Sequence, residues 1–428
     1  MHILIGIAIA VAVLCLYVQR RRCRSGKQVA ILVLGDIGHS PRMQYHANSF
    51  AKHDWNVELI GYGDDNNEQE LFKKDKRIRC IHIPKTPAWL TPSSKLQFLL
   101  FAPLKVTFLW LGLCSILFRV HAPSYLLVQN PPCIPTFVFA LLMRFCFGSR
   151  IVIDWHNFGF SILALKLGKN HMLVKIMKAY ELFLGRFAYK HLCVSNAMSE
   201  VLGNWGLKPT YVLYDRPPSH FKPLSKKPYN LLGTAFNPKT CKLLVSSTSW
   251  TPDEDIFVLY KALEEYDAQP NASPILAVIT GKGPMKQDFL DHVKEHPLQH
   301  VRFLTPWLST GDYPRLLACA DLGVSLHTSS SGVDLPMKVV DLFGCGIPVL
   351  SLPFPAITEL VKDGRNGKIV GDAHEMAVTI QNLFTNTKEL SSLKRGAMSE
   401  SKHRWDEEWD TVASQVFLMN NKTAAKKK

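Results

Sequence analysis

The sequence predicts an α/β fold made of two Rossmann-like domains, each a doubly wound parallel sheet. Three observations carry that reading. Apolar runs of strand length alternate with helical segments in both halves of the chain, the pattern of βαβ units. Between the halves lies 214–239, rich in Pro, Lys, Ser and Asn; there Pro217, Pro218, Pro223, Pro228 and Pro238 rule out a regular element. At 428 residues the chain is long enough for two or three domains of ordinary size. The expected boundaries are a first domain over 27–213, a linker over 214–239 and a second domain over 240–400.

Ahead of the first domain, Ile3 to Val18 is apolar without interruption. Gln19, the cluster Arg20, Arg21 and Arg22, then Arg24 and Lys27 follow it. A cleavable signal carries its basic residues before the apolar core, so this order points to a transmembrane anchor over 1–19. About 16 apolar residues give roughly 24 Å of helix, a little short of a thin bilayer near 27 Å, and snorkelling arginines cover the difference. The positive-inside rule then puts the body of the protein in the cytosol, as a single-pass membrane protein. The ten cysteines lie in a reducing compartment and show no paired framework. A net charge of +15 suits phosphates, anionic lipid headgroups or nucleic acid. The sequence holds no nucleic-acid-binding signature and no zinc spacing, so nucleic acid is not an expected partner and no metal site is expected.

In the first half, Gln28 to Gly35 reads as a buried first strand, Asp36 to Arg42 as a polar glycine loop, Met43 to His53 as a helix and Asn56 to Gly61 as strand two. A nicotinamide-binding unit would need G-x-G-x-x-G after the first strand, and this loop has only Gly35 and Gly38. Asp36, Gly38 and Arg42 are candidates to hold a phosphate or diphosphate. Leu96 to Phe118 and Cys133 to Phe147 are unusually apolar; they read as helices lying in or dipping into the cytosolic leaflet, with plain core helices as the alternative. Ser149 to Gly159 is a strand feeding a polar loop, and in open α/β sheets such loops hold ligands. That makes His156, Asp154 and His39 the candidate general bases.

In the second half, Val324 to Val349 reads as strand, polar loop, helix, tight turn, strand. Asp334 is the expected N-cap, with Pro336 in the first turn. A helix N-terminus suits a phosphate. Lys338 and Asp341 share a helix face. Asp341 would lie about 10 Å along the axis from Asp334, roughly the span from a diphosphate to its ribose hydroxyls. An ordinary βαβ corner with a solvated Lys–Asp pair fits the spacing equally well. The strand Cys241 to Ser247 opens this half, followed by a loop from Thr248 to Asp255 rich in hydroxyls. Ser247 and Ser330 are further candidates for donor contact, as is Lys282, flanked by Gly281 and Gly283. Trp307 follows another strand, where a core tryptophan is the plain reading.

These residues carry a resemblance. The run from Val333 to Val349 resembles the donor-binding segment of GT-B glycosyltransferases, with Asp341 where that superfamily has its second, ribose-binding glutamate and Val333 where it has its first. The longer string from Leu326 to Gly346 resembles the chitobiosyldiphosphodolichol β-mannosyltransferases, as do Gly35 to His46, Asp154 to Gly159 and Val245 to Asp255. Arg404 to Trp409 resembles the closing helix of GT-B chains, expected over 401–420 and returning to the first domain. The resemblance implies two Rossmann-like domains facing a cleft. It implies transfer of mannose from GDP-mannose to a dolichol-linked chitobiosyl diphosphate with a β1,4 bond, at the cytosolic face of the endoplasmic reticulum membrane, beside other glycosyltransferases of the pathway. It places His156 toward the donor sugar and Trp307 near guanine. No cofactor is implied as required, and a divalent cation is compatible. Two other readings remain: a GT-B enzyme using another sugar nucleotide, and a non-catalytic GT-B-like membrane scaffold.

Overall fold

The computed structural model describes residues 27–63, 75–85, 87, 95–224, 230–231, 234–235, 237–309 and 311–418. The anchor expected over 1–19 lies outside them. The chain divides into two compact units. One takes in residues up to Val194, Met198–Leu213 and the chain from Thr411; the other takes in Ser195–Ala197 and Tyr214–Asp410.

In the first unit β1 (Gln28–Asp36) runs through the middle of the sheet, because Val29 to Val33 is apolar on both faces and fully buried. α1 (Pro41–Lys52), β2 (Asn56–Tyr62) and β3 (Ile78–His82) complete one wing. α2 (Lys95–Ile116), β4 (Tyr125–Asn130), α3 (Thr136–Phe147), β5 (Arg150–Trp155), α4 (Gly159–Leu167), α5 (Met172–Gly185), β6 (Lys190–Cys193), α6 (Asn196–Asn204) and β7 (Thr210–Val212) form the other. The seven described strands are all parallel, in the order β3-β2-β1-β4-β5-β6-β7. The order reverses between β1 and β4. Such a switch point opens a crevice at the strands' C-terminal ends, and the loops after β1 and β5 lie at that edge.

The second unit repeats the plan. β8 (Asn230–Leu231) and β9 (Thr234–Ala235) make a small antiparallel hairpin. They are followed by β10 (Lys242–Ser247), α7 (Ile256–Asp267), β11 (Ile275–Thr280), α8 (Lys286–Glu295), β12 (Val301–Leu304) and α9 (Asp312–Cys319). Next come β13 (Leu322–Ser325), α10 (Met337–Gly344), β14 (Val349–Ser351), β15 (Gly367–Ile369), α11 (Ala373–Thr385) and α12 (Thr387–Glu400), and then α13 (Trp405–Val416), whose residues from Thr411 on belong to the first unit. The main sheet has the order β12-β11-β10-β13-β14-β15. Alternation along β10 builds two cores: Leu244 packs with Leu259 and Leu263 of α7, and Leu243 and Val245 pack with Val339 and Phe343 of α10. The switch point lies between β10 and β13.

Two sequence expectations change here, and the two apolar stretches form the helices expected of them. The proline-rich 214–239 does hold a regular element, the β8–β9 hairpin, since two-residue strands fit between prolines. Asp334 is not the N-cap of α10; Pro336 is, with no side-chain cap, because Asp334 is held back in the loop. The apolar stretches become α2, which runs through Pro103, and α3, whose inner face packs on the sheet. Among the described residues no helix is long and apolar enough to cross a membrane.

Candidate active site

The first unit gathers four side chains around one carboxylate. Asp154, next to last in β5, points inward and is fully buried. Arg42, in the first turn of α1, grips it with both arms, Nε to Oδ2 at 2.8 Å and Nη2 to Oδ1 at 2.9 Å, and donates from Nη1 to the Leu213 carbonyl at 3.0 Å. His46 follows one turn later on the same face of α1, its Nε2 3.2 Å from Oδ2. His156 closes the group from the loop beyond β5, its Nε2 3.0 Å from Oδ2. Burial alone would raise the Asp154 pKa, but the Arg42 charge and then His156 and His46 outweigh it and hold the carboxyl well below the usual range. Burial lowers the pKa of His46, which is therefore neutral.

An ionised carboxylate only accepts hydrogen bonds, so His156 donates from Nε2, and the neutral imidazole has its lone pair on Nδ1. Within the cluster Arg42, His46 and Asp154 are 2% exposed or less, whereas the His156 side chain is 24% exposed. The group can thus offer solvent one oriented basic nitrogen.

The other loop candidates sit apart from this arrangement. Asp36 accepts from the Gly38 backbone at 2.7 Å and meets His39 Nδ1 at 3.0 Å, an exposed pair that folds the glycine loop into a tight turn. Arg42 turns away from that loop and is engaged with Asp154. Sequence reasoning missed Glu181. It is buried in α5 and accepts from Asn130 Nδ2 at 2.6 Å and from the backbones of Gly159 and Phe160 at 3.0 and 3.3 Å. Asn130 Nδ2 also reaches the Asn157 carbonyl at 3.2 Å, so the loop carrying His156 is tied to β4 and α5. Burial raises the Glu181 pKa, against those donors. The available signal was a lone acid within an apolar and basic helix.

In the second unit Glu254 is a hub that sequence reasoning also passed over. It accepts from Lys338 Nζ, from Thr248 Oγ1 at 3.1 Å and from the Ser249 backbone at 2.8 Å, and His327 Nδ1 lies 3.7 Å away. Burial opposes its ionisation, but His327 and Lys338 together push its pKa far down. On its other side His327 meets Asp334 at 2.9 Å, and Asp334 accepts from the hydroxyls of Ser329 and Ser331. Burial would lower the His327 pKa, yet the two carboxylates raise it to about 9, so it is charged at neutral pH. Lys338 is therefore ion-paired, Asp334 braces the serine loop, and Ser330 lies half-buried within that loop.

Asp341 behaves differently. It lies half-buried on α10, and its carboxylate makes no side-chain hydrogen bond among the described residues. Burial first, then the nearby charge of Asp215, raises its pKa to about 8. Its charge acts on Tyr313, whose hydroxyl lies 3.0 Å from Ser247 Oγ at the end of β10. Lys282 and Trp307 come together, Nζ lying 4.0 Å from the centroid of a ring that is 56% exposed. The glycines beside Lys282 serve loop packing: a Cβ on Gly281 or Gly283 would fall 1.8 Å from the carbonyls of Thr248 or Ser249, and Gly281 has φ +128°.

A profile described as Glycosyl transferases group 1 matches residues 241–386. Among solved structures, Anabaena HepE in complex with UDP and glucose superposes with a TM-score of 0.65 at 16% identity, covering 92% of this chain and 100% of that one. The protein is a glycosyltransferase of the GT-B fold. A chitobiosyldiphosphodolichol beta-mannosyltransferase of Candida albicans is 42% identical over 97% of this chain and 95% of its own length, and one of Homo sapiens is 37% identical over 91% and 92%. The chain belongs to the chitobiosyldiphosphodolichol β-mannosyltransferase family. An Arabidopsis thaliana relative named UDP-glycosyltransferase TURAN is 38% identical over 91% of this chain and 97% of its own.

Removing Arg42 strands a buried charge, which typically costs about 3–5 kcal/mol. Arg42→Met should lower unfolding free energy by that amount in urea at pH 7. Asp154 has a depressed folded pKa, so its contribution is present above the unfolded value near 3.9. It is lost as pH falls through the lower folded value, and the deficit should shrink in acid. A loss under about 1 kcal/mol at pH 7 would place little weight on the pair.

Proposed function

We propose that the enzyme transfers mannose from GDP-mannose to the terminal GlcNAc of a dolichol-linked chitobiosyl diphosphate, forming a β1,4 bond with inversion. An anchor over 1–19 would hold it to the endoplasmic reticulum membrane with both domains cytosolic. The observation that carries the chemistry is the His156–Asp154 pair, an oriented histidine backed by a buried, ionised carboxylate.

An α-linked donor giving a β product calls for one in-line displacement. The acceptor oxygen attacks C1 of mannose, the bond from C1 to the diphosphate breaks, and GDP leaves with the electron pair. His156 Nδ1 takes the acceptor proton. Asp154, too strongly held in its ionised form to be the base, fixes the tautomer and stabilises the imidazolium that forms. Arg42 and His46 position Asp154, and Glu181 positions the loop. Asp341 is assigned to the ribose hydroxyls, two donors that would meet its partnerless carboxylate. The diphosphate is assigned to the N-terminus of α10, the hydroxyls of the serine loop and Lys282, with Trp307 beside the base. A second reading, transfer from a UDP-sugar, draws support from the name of the Arabidopsis relative.

A panel of labelled GDP-mannose, UDP-glucose and UDP-GlcNAc with a phytanyl-diphosphate chitobiose acceptor separates the two readings. Mannose alone should transfer, and transfer from a UDP-sugar alone would favour the second reading. His156→Ala should lower turnover by about 10²–10⁴-fold while GDP-mannose still binds. Near-normal turnover of the folded variant would remove His156 from the role. Above about pH 8, where Asp341 is ionised, Asp341→Asn should weaken donor binding roughly 10–100-fold, the worth of hydrogen bonds to a charged group. In the wild type, donor affinity should rise as pH approaches about 8, where Asp341 ionises, and level off above. An unchanged affinity in the variant, or the same pH dependence, would sink the assignment.

A further inference from the structure

The second unit sets carboxylates where the proposed chemistry needs to hold a diphosphate. Glu254 ends a short turn, Pro252–Glu254, after β10 and is 5% exposed. Its two oxygens have different partners. Oε2 anchors its own loop, accepting from Thr248 Oγ1, the Ser249 backbone and Ser249 Oγ at 3.1, 2.8 and 3.1 Å. Oε1 faces two cations, Lys338 Nζ and, at 3.7 Å, His327 Nδ1. Lys338 is the second residue of α10, whose first turn has no side-chain cap. Thr328 Oγ1 donates to the Asp253 carbonyl at 2.9 Å, so the serine loop is tied to the same turn. An uncapped helix N-terminus, a hydroxyl-rich loop and a lysine all suit phosphate. Yet the charge of Lys338 is met at contact by Glu254, and that of His327 by Asp334.

Donor and product differ in charge. The diphosphate of a sugar nucleotide is esterified at both ends and carries two negative charges. When the sugar leaves, the terminal phosphate gains a free oxygen whose ionisation lies at about pH 6, so the product carries three above that pH. Bare cations bind the extra charge best and so retain the product. In a cluster with no formal net charge, repulsion from Glu254 offsets attraction to Lys338 at nearly equal distance. Bracing the loop occupies only Oε2, and Oε1 meets only the two cations among the described residues. We propose that Glu254 is a specificity-determining residue. Its carboxylate keeps a free nucleoside diphosphate from outcompeting the sugar nucleotide at the first turn of α10. The proposal rests on the donor reading given above.

The test titrates full-length protein with GDP and with GDP-mannose by calorimetry and compares the ratio of the two dissociation constants. At about pH 7.5, Glu254→Gln should shift that ratio about tenfold toward GDP, and Lys338→Met about tenfold the other way. The double variant E254Q/K338M, neutral again, should return to the wild-type ratio. A carboxylate that only braces the loop would change both affinities by one factor in E254Q and leave the ratio unmoved in all three variants, which would overturn the proposal. If E254Q alone does not fold, K338M and the double variant decide it on the same ratios. The pH profile gives a second readout. Glu254 and Asp334 are held below the usual carboxylate range and His327 is raised to about 9, so the cluster keeps its charges from about pH 5.5 to 7.5. Asp253 and Asp255 flank Glu254 on the exposed side, and Lys282 and the helix N-terminus are the same in every variant. Asp341 is assigned to the ribose that both ligands share. Over that range the preference for GDP should rise about tenfold more in E254Q than in the wild type, as the terminal phosphate ionises. Equal profiles would overturn the proposal. If UDP-glucose binds and GDP-mannose does not, the donor reading fails, and the same ratios with UDP and UDP-glucose decide this one. Binding of neither pair would overturn both.

Discussion

The first unit is organised around the bidentate ion pair of Arg42 and Asp154. Taking both charges out of water costs several kcal/mol per ion, and only near-ideal geometry with further hydrogen bonds repays it. The structure supplies both: two short parallel bonds, two histidines on one carboxylate oxygen, and a carbonyl for the remaining guanidinium arm. The pair links α1 to β5 and to Leu213 at the end of the first unit. It also bears on the proposed chemistry. A carboxylate held so firmly ionised is a poor base, but it fixes which nitrogen of His156 is free.

The second unit shows the same logic with a different outcome. Glu254 and Asp334 are satisfied by Lys338, His327 and serine or threonine hydroxyls, so two cations and two anions form a cluster with no formal net charge. That cluster joins the loop after β10 to the loop after β13 and shapes the switch point. Asp341, one turn into α10, was left out. A buried carboxylate without hydrogen bonds is costly, and its raised pKa expresses that cost. The paired carboxylates build the site, and the unpaired one is the place where a ligand's hydroxyls would return the most free energy.

Much of this was legible in the sequence, for physical reasons. β1 is buried on both faces from Val29 to Val33, so that run is purely apolar and identifies itself. Asp341 and His156 follow from helix and strand ends, which are local features. Glu254, His327 and Glu181 were missed because their meaning lies in partners 51 to 84 positions away, as in Glu181 with Asn130 and Glu254 with Lys338. Asp334 was misplaced as a helix cap for the same reason: its own loop hydroxyls and His327 outcompete the helix. Lys282 and Trp307 were each singled out, but their stacking was not, since nothing in the spacing brings a β11 loop to a β12 loop.

The central claim is that Asp154 serves His156, and that His156 Nδ1 receives the acceptor proton. A structure of the enzyme with GDP and a chitobiosyl-diphosphate acceptor analogue tests it most directly. The account predicts the reacting hydroxyl of the terminal GlcNAc about 2.6–3.2 Å from His156 Nδ1, with Nε2 still on Asp154. The same hydroxyl bound to Asp36 or His39, with His156 turned away from it, would contradict the account.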